Sequence, residues 1–144
     1  MSGEARPATS GAGLTVLNTA GSNSFFNNQT NGLWVHTGGA IVLNGVFASE
    51  NTDGVVLINH ETPAAPGVTI NGMHSGNNRM RGVDITSRGV VTWTNGGAGD
   101  NGRDATSGSG QGGGAYIDNT PGFAPVSLTN LYFTGFRFKH TFQR

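Results

Sequence analysis

Two short strand patterns alternate along this chain, and their order limits the fold more than any other feature. One pattern begins with glycine: GLWVHT (32–37), GVVLIN (54–59), GVDITS (82–87) and GAYIDN (114–119). The other reads LTVLN (14–18), IVLNG (41–45), VTING (68–72), VTWTN (91–95) and VSLTN (126–130). The two alternate strictly, and the opening glycines are 22, 28 and 32 residues apart. Side chains alternate across a strand. The glycine-led pattern therefore puts Leu33/Val35, Val55/Leu57, Val83/Ile85 and Ala115/Ile117 on one face. The second pattern does the same with Leu14/Val16, Ile41/Leu43, Val68/Ile70, Val91/Trp93 and Val126/Leu128. Its next inward position is held by Asn18, Gly45, Gly72, Asn95 and Asn130, residues that suit a corner. A slip of one residue would reverse every face, so agreement over nine strands fixes the register.

A unit of roughly 20–30 residues with two or three short strands is about one turn of a parallel β-solenoid. One turn cannot bury its own apolar residues. Stacked turns join them into one core, with equivalent strands about 4.8 Å apart. Composition agrees with an all-β chain: 25 of 144 residues are glycine, only 11% are charged, and no window carries a long 3.6-residue apolar period. The pattern resembles the right-handed parallel β-helix repeats of bacterial surface proteins and of the pectin-lyase-like superfamily, over residues 13–135. The resemblance implies a right-handed parallel β-helix (β-solenoid) of about four to five coils in one domain. Residues 1–12 read as a flexible arm, about 95–113 as a glycine-rich lateral loop, and 136–144 as a capping or interface strand. The chain reads as a segment of a longer solenoid. The parent family implies an extracellular or cell-surface setting, although the opening MSGEARPATSGAG has no apolar stretch of a secretory signal.

Zero net charge gives no global field to attract nucleic acid or an anionic membrane. No run approaches the roughly 18 apolar residues of a membrane helix. The absence of cysteine removes disulfides and thiolate metal sites, and no cofactor is expected.

Asn51-Thr52-Asp53-Gly54 matches part of the active-site signature of polygalacturonases. In that family the aspartate works beside an Asp-Asp pair and near Gly-His-Gly and Arg-Ile-Lys elements, none of which this sequence contains. Inverting hydrolysis needs an acid and a base roughly 6.5–9.5 Å apart. NNQTNG (27–32) and NNRMRG (77–82) end their units as Asn51 does, so NTDG reads as a coil junction and no residue is assigned as catalytic. The outer face of the glycine-led strands gives the candidate ligand-binding set Trp34, His36, Asp84, Tyr116 and Asp118. Exposed aromatics there can stack on a sugar, with carboxylates beside them for hydroxyls. His36 and His60 end successive strands within reach of one another, but all four histidines, His74 and His140 included, read as solvated turn residues. Asp100, Asn101 and Asp104 offer too few oxygens for Ca²⁺, so no metal is assigned. The outer face of the other strands carries Thr15, Thr69, Thr92 and Thr94, a broken form of a threonine lattice. LYFTGFRFKHTFQR (131–144) departs from the repeat, and Phe133, Phe136, Arg137, Phe138 and Lys139 form the candidate cap or self-association surface. The expected function is a non-enzymatic structural or adhesion-type module, self-associating into a homo-oligomer. The alternatives are a carbohydrate-binding or polysaccharide-cleaving β-helix with a glycan partner and, more remotely, ice binding.

Overall fold

The structure, a computed structural model, describes residues 12–17, 21–61, 66–102, 113–134 and 136–139, the last of these as backbone alone. Its strands in chain order are β1 (Leu14–Val16), β2 (Asn23–Phe26), β3 (Asn31–His36), β4 (Ile41–Asn44), β5 (Val46–Ser49), β6 (Asp53–Asn59), β7 (Val68–Gly76), β8 (Arg81–Ser87), β9 (Val91–Gly99), β10 (Gly113–Asp118), β11 (Val126–Phe133) and β12 (Phe136–Lys139). The described residues contain no helix, and their strand pairings are parallel. Such an arrangement is compatible with a β-solenoid.

The glycine-led strands build one five-stranded sheet in the order β12-β10-β8-β6-β3. The other sheet has seven strands and holds two families, not the single family read from the sequence. Ile41, Val68, Val91 and Val126 stand in register in the first family. The second family comprises β2, β5 and the distal halves of β7, β9 and β11, with Phe25↔Ala48, Ala48↔Ser75, Ser75↔Ala98 and Phe133↔Ala98 as partners. A single left-handed residue separates the two families: Gly45, Gly72, Asn95 and Asn130, with φ of 60°, 67°, 55° and 54°. Glycine and asparagine tolerate that conformation best. Asn95 and Asn130 nevertheless point outward, against the inward position expected for this column. They are exposed, and Asn130 Nδ2 donates to Asn95 Oδ1 at 2.7 Å while Asn95 Nδ2 donates to Asn71 Oδ1 at 3.0 Å. A left-handed residue interrupts strand alternation, so parity cannot be counted through it. Asn18 lies outside the described residues.

The core runs between the sheets. Ile41, Leu43, Val55, Leu57, Val68, Ile70, Val83, Ile85, Val91, Trp93 and Ile117 are fully buried. Burying each such large side chain contributes about 1.5–3 kcal/mol. Phe133 meets the face of Trp93 edge-on, ring centroids 5.1 Å apart, and is half-buried. Leu128, expected inside, is partly exposed because, among the described residues, β11 has a partner strand on one side only, β9. The C-terminal segment continues the repeat: β12 pairs with β10, Phe136 opposite Ala115 and Phe138 opposite Ile117.

A polar seam crosses this core at the turn before each glycine-led strand. Asn28, Asn51, Asn78 and Asn101 stack there. Asn28 N and Nδ2 each donate to Asn51 Oδ1 at 2.9 Å. Asn51 N and Nδ2 donate to Asn78 Oδ1 at 3.0 and 3.2 Å, and Asn78 N and Nδ2 to Asn101 Oδ1 at 3.0 and 2.8 Å. The residue before each rung is left-handed: Asn27, Glu50, Asn77 and Asp100, with φ between 54° and 60°. That turn swings the asparagine side chain inward. It also explains the opening glycines. A Cβ on Gly82 would lie 2.3 Å from Asn101 Nδ2 and 2.5 Å from Gly114 O, and one on Gly32 would lie 2.6 Å from both Asn51 Nδ2 and Gly54 O. Space beside the ladder, not backbone freedom, requires glycine here. Thr37, Asn59, Ser87 and Asn119 form a second buried polar column at the opposite end of these strands.

Candidate functional site

The outer face of the five-stranded sheet carries the sequence-derived candidates in two registers. Trp34, Val56, Asp84, Tyr116 and Arg137 form one row; His36, Ile58, Thr86, Asp118 and Lys139 form the next. The described side chains of both rows are half-buried. They divide into two clusters. At one end Trp34 meets His36 edge-on with ring centroids 5.7 Å apart, and His36 stacks on His60 at 6.3 Å. His36 Nε2 lies 2.7 Å from Glu61 Oε1 in a charge contact whose alignment is poor for a hydrogen bond. At the other end Arg81 forms a salt bridge with Asp84 and sits 5.7 Å from the centre of the Tyr116 ring. Asp118 Oδ1 accepts from Thr120 N at 3.0 Å and Oγ1 at 2.6 Å. Trp34 and Tyr116 are three strands apart, about 14 Å at the usual spacing, with Val56 and Asp84 between them. One ring-sized ligand cannot touch both.

Asp53 is the register partner of Asn31, and its Oδ1 accepts the Arg81 backbone N–H at 3.0 Å. That bond links one repeat to the next, as does Thr52 Oγ1 donating to Gln29 O at 2.7 Å. Asn101 belongs to the asparagine ladder, so it is not free for a cation, and among the described residues no three His, Asp or Glu side chains gather as metal ligands. Asp104 and His140 lie outside the described residues, as do the side chains of Phe136, Arg137, Phe138 and Lys139.

A different site lies on the second family of the seven-stranded sheet. Ser24, Phe47, His74, Gly97 and Tyr132 form one outward row, and Phe26, Ser49, Gly76 and Gly99 form the next. Phe47 and His74 stack at 5.0 Å with their planes 25° apart. The next rung, Gly97, has no side chain. Tyr132 on the next strand leans its ring over Gly99 and is 68% exposed; Phe26 and Phe47 are 52% and 40% exposed. Between them runs a groove of about 430 Å³ with a glycine floor. Its polar end is formed by Ser49, Asn77 and Asp100. The expected glycine-rich loop at 95–113 therefore begins later, because residues 96–99 are strand and form this floor. Gly96 and Gly97 are needed there: a Cβ on either would lie 2.0 Å from a carbonyl oxygen of the adjacent strand, Met73 O and Tyr132 O respectively.

The sequence did carry a signal for these strands. NSFF, VFAS, MHSG and GGAG each end two residues before a ladder asparagine. Their small residues and glycines have low β-propensity, so they read as turns. Comparison with protein-family models, curated proteins and solved structures gives no match to this chain.

Proposed function

We propose that this chain is a right-handed parallel β-helix of five three-strand turns, acting as a non-enzymatic structural or adhesion-type module. The strand families recur in one order, and parallel crossovers of this kind are almost always right-handed. The observation that carries the structural role is what the polar side chains bond to. Asn28, Asn51, Asn78 and Asn101 bind one another, Asp53 holds a backbone N–H, and Asp84 is held by Arg81. The asparagines and Asp53 tie successive turns together, while the Arg81–Asp84 pair lies within one strand. Among the described residues β1, β2 and β3 each have one partner strand, as do β11 and β12 at the other end. Unpaired edges of this kind template association with another copy.

Two measurements test the reading. Incubation with polygalacturonate should release neither new reducing ends nor unsaturated products; products that disappear in Asp53→Asn would overturn the non-enzymatic assignment. Sedimentation over a range of concentrations should show reversible growth in mass, and a monomer at every concentration would remove self-association.

A further inference from the structure

We propose that the groove between His74 and Tyr132 binds the ring of a neutral sugar. The inference concerns a face to which the structural role gives no task, and it stands whether or not the chain self-associates. Along the outward row the aromatic stack runs Phe47, His74, then a gap at Gly97, then Tyr132. His74 and Tyr132 are two strand spacings apart, about 9.6 Å. A ring over Gly97 would lie about 4.8 Å from the His74 row, within the distance at which rings stack, with the Tyr132 ring, which leans over Gly99, at its edge. Phe47 and His74 already stand 5.0 Å apart. The ligand ring would take the place of the missing rung.

Three further features select the ligand. The groove volume, about 430 Å³, falls in the range of small-molecule sites. Tyr132, Phe26 and Phe47 present apolar surface to solvent in one patch, which monomeric proteins keep small unless it binds something. Ser49, Asn77 and Asp100 supply a hydroxyl, an amide and a carboxylate at one end. A sugar has apolar C–H faces for the aromatic walls and hydroxyls at its edge for those three groups. A purely aromatic ligand would make no use of these three groups. A uronate would bring a carboxylate toward Asp100, so like-charge repulsion favours a neutral sugar. Residues 103–112 contain no aromatic residue in their sequence.

The test is calorimetric titration of the full chain with cellohexaose, mannohexaose, xylohexaose, chitohexaose and hexagalacturonate. At least one neutral hexasaccharide should bind at millimolar concentration or below. Tyr132→Ala and His74→Ala, both solvent-exposed positions, should each weaken that binding by about tenfold or more. Trp34→Ala, on the other sheet, should leave it within twofold. The proposal is overturned if no neutral hexasaccharide binds, if hexagalacturonate alone binds, if both groove variants bind like the parent, or if only Trp34→Ala abolishes binding. Far-UV circular dichroism and thermal melting confirm that each variant is folded. A cleavage product in the polygalacturonate assay would refute the non-enzymatic reading without bearing on this one.

Discussion

The asparagine ladder predicts a gradient of stability along the stacked strands. Asn78 is fully buried and sits in the middle of the ladder. Its Oδ1 accepts from Asn51 N and Nδ2, and its Nδ2 donates to Asn101 Oδ1, with weaker contacts to Ser75 Oγ at 3.1 Å and Ala48 O at 3.3 Å. In Asn78→Ala, Asn51 Nδ2 keeps Phe25 O and Asn101 Oδ1 keeps the Asn78 backbone N–H. The Asn51 backbone N–H keeps no acceptor among the described residues. One orphaned buried donor costs about 1–3 kcal/mol, and the lost bond from Asn78 Nδ2 to Asn101 Oδ1 adds about 0.5–1.5 kcal/mol, giving about 2–4 kcal/mol in all. At roughly 2–4 °C per kcal/mol for a domain of this size, the melting temperature should fall by about 5–15 °C. Asn28 is the terminal rung and half-buried, and its side chain makes one ladder bond while its backbone N–H makes another that survives substitution. Asn28→Ala should therefore cost only about 0.5–1.5 kcal/mol. Urea denaturation followed by circular dichroism measures both. Equal losses in the two variants, or a loss below about 1 kcal/mol in Asn78→Ala, would show that the ladder does not hold the turns as argued.

Two other substitutions test the local geometry. Gly82→Ala forces a methyl against Asn101 Nδ2 and Gly114 O and should destabilise by about 1–3 kcal/mol, whereas Gly21→Ala, with nothing within 4 Å, should be neutral or slightly stabilising in the same assay. Glu50 is exposed and left-handed at a position its counterparts fill with Asn27, Asn77 and Asp100, so Glu50→Asn should raise stability by about 0.5–1 kcal/mol; a lower urea midpoint would contradict that.

The residues that face inward were the legible ones. Leu33/Val35 through Ala115/Ile117, and Ile41/Leu43 through Val91/Trp93, alternate with period two in segments rich in β-branched and aromatic residues, and those are buried. NTDG was legible as a junction because its asparagine recurs before other glycines, and Asn51 is a ladder rung. The third strand family was not legible. Its inward positions are Phe25, Ala48, Ser75, Ala98 and Phe133, a mixture with no single hydrophobic signature. Backbone pairing with equivalent strands decides its conformation, and that is a non-local fact. The same omission hid the groove and stretched the expected loop back to residue 95. The C-terminal segment read as a departure from the repeat because Arg137 and Lys139 changed its composition. The Cα register of β12 on β10 still follows the pattern.

The ladder and the groove are two sides of one turn, and this explains why a repeat reveals one better than the other. Ser49, Gly76 and Gly99 face the groove, and the ladder residues Asn51, Asn78 and Asn101 follow two positions later across a left-handed residue. The spacing and depth of the groove are thus set by the same stacking that builds the core. A site held on paired strands in this way needs little ordering when a ligand arrives. The chemistry of the groove comes instead from outward positions, Phe47, His74 and Tyr132, which stacking leaves free to vary. Core positions must repeat because every turn solves the same packing problem. A binding position must break the repeat, since a row of identical aromatics would fill the rung that a ligand ring is to occupy. The gap at Gly97, set between His74 and Tyr132, is such a break, and it becomes visible only when the rows are aligned across turns.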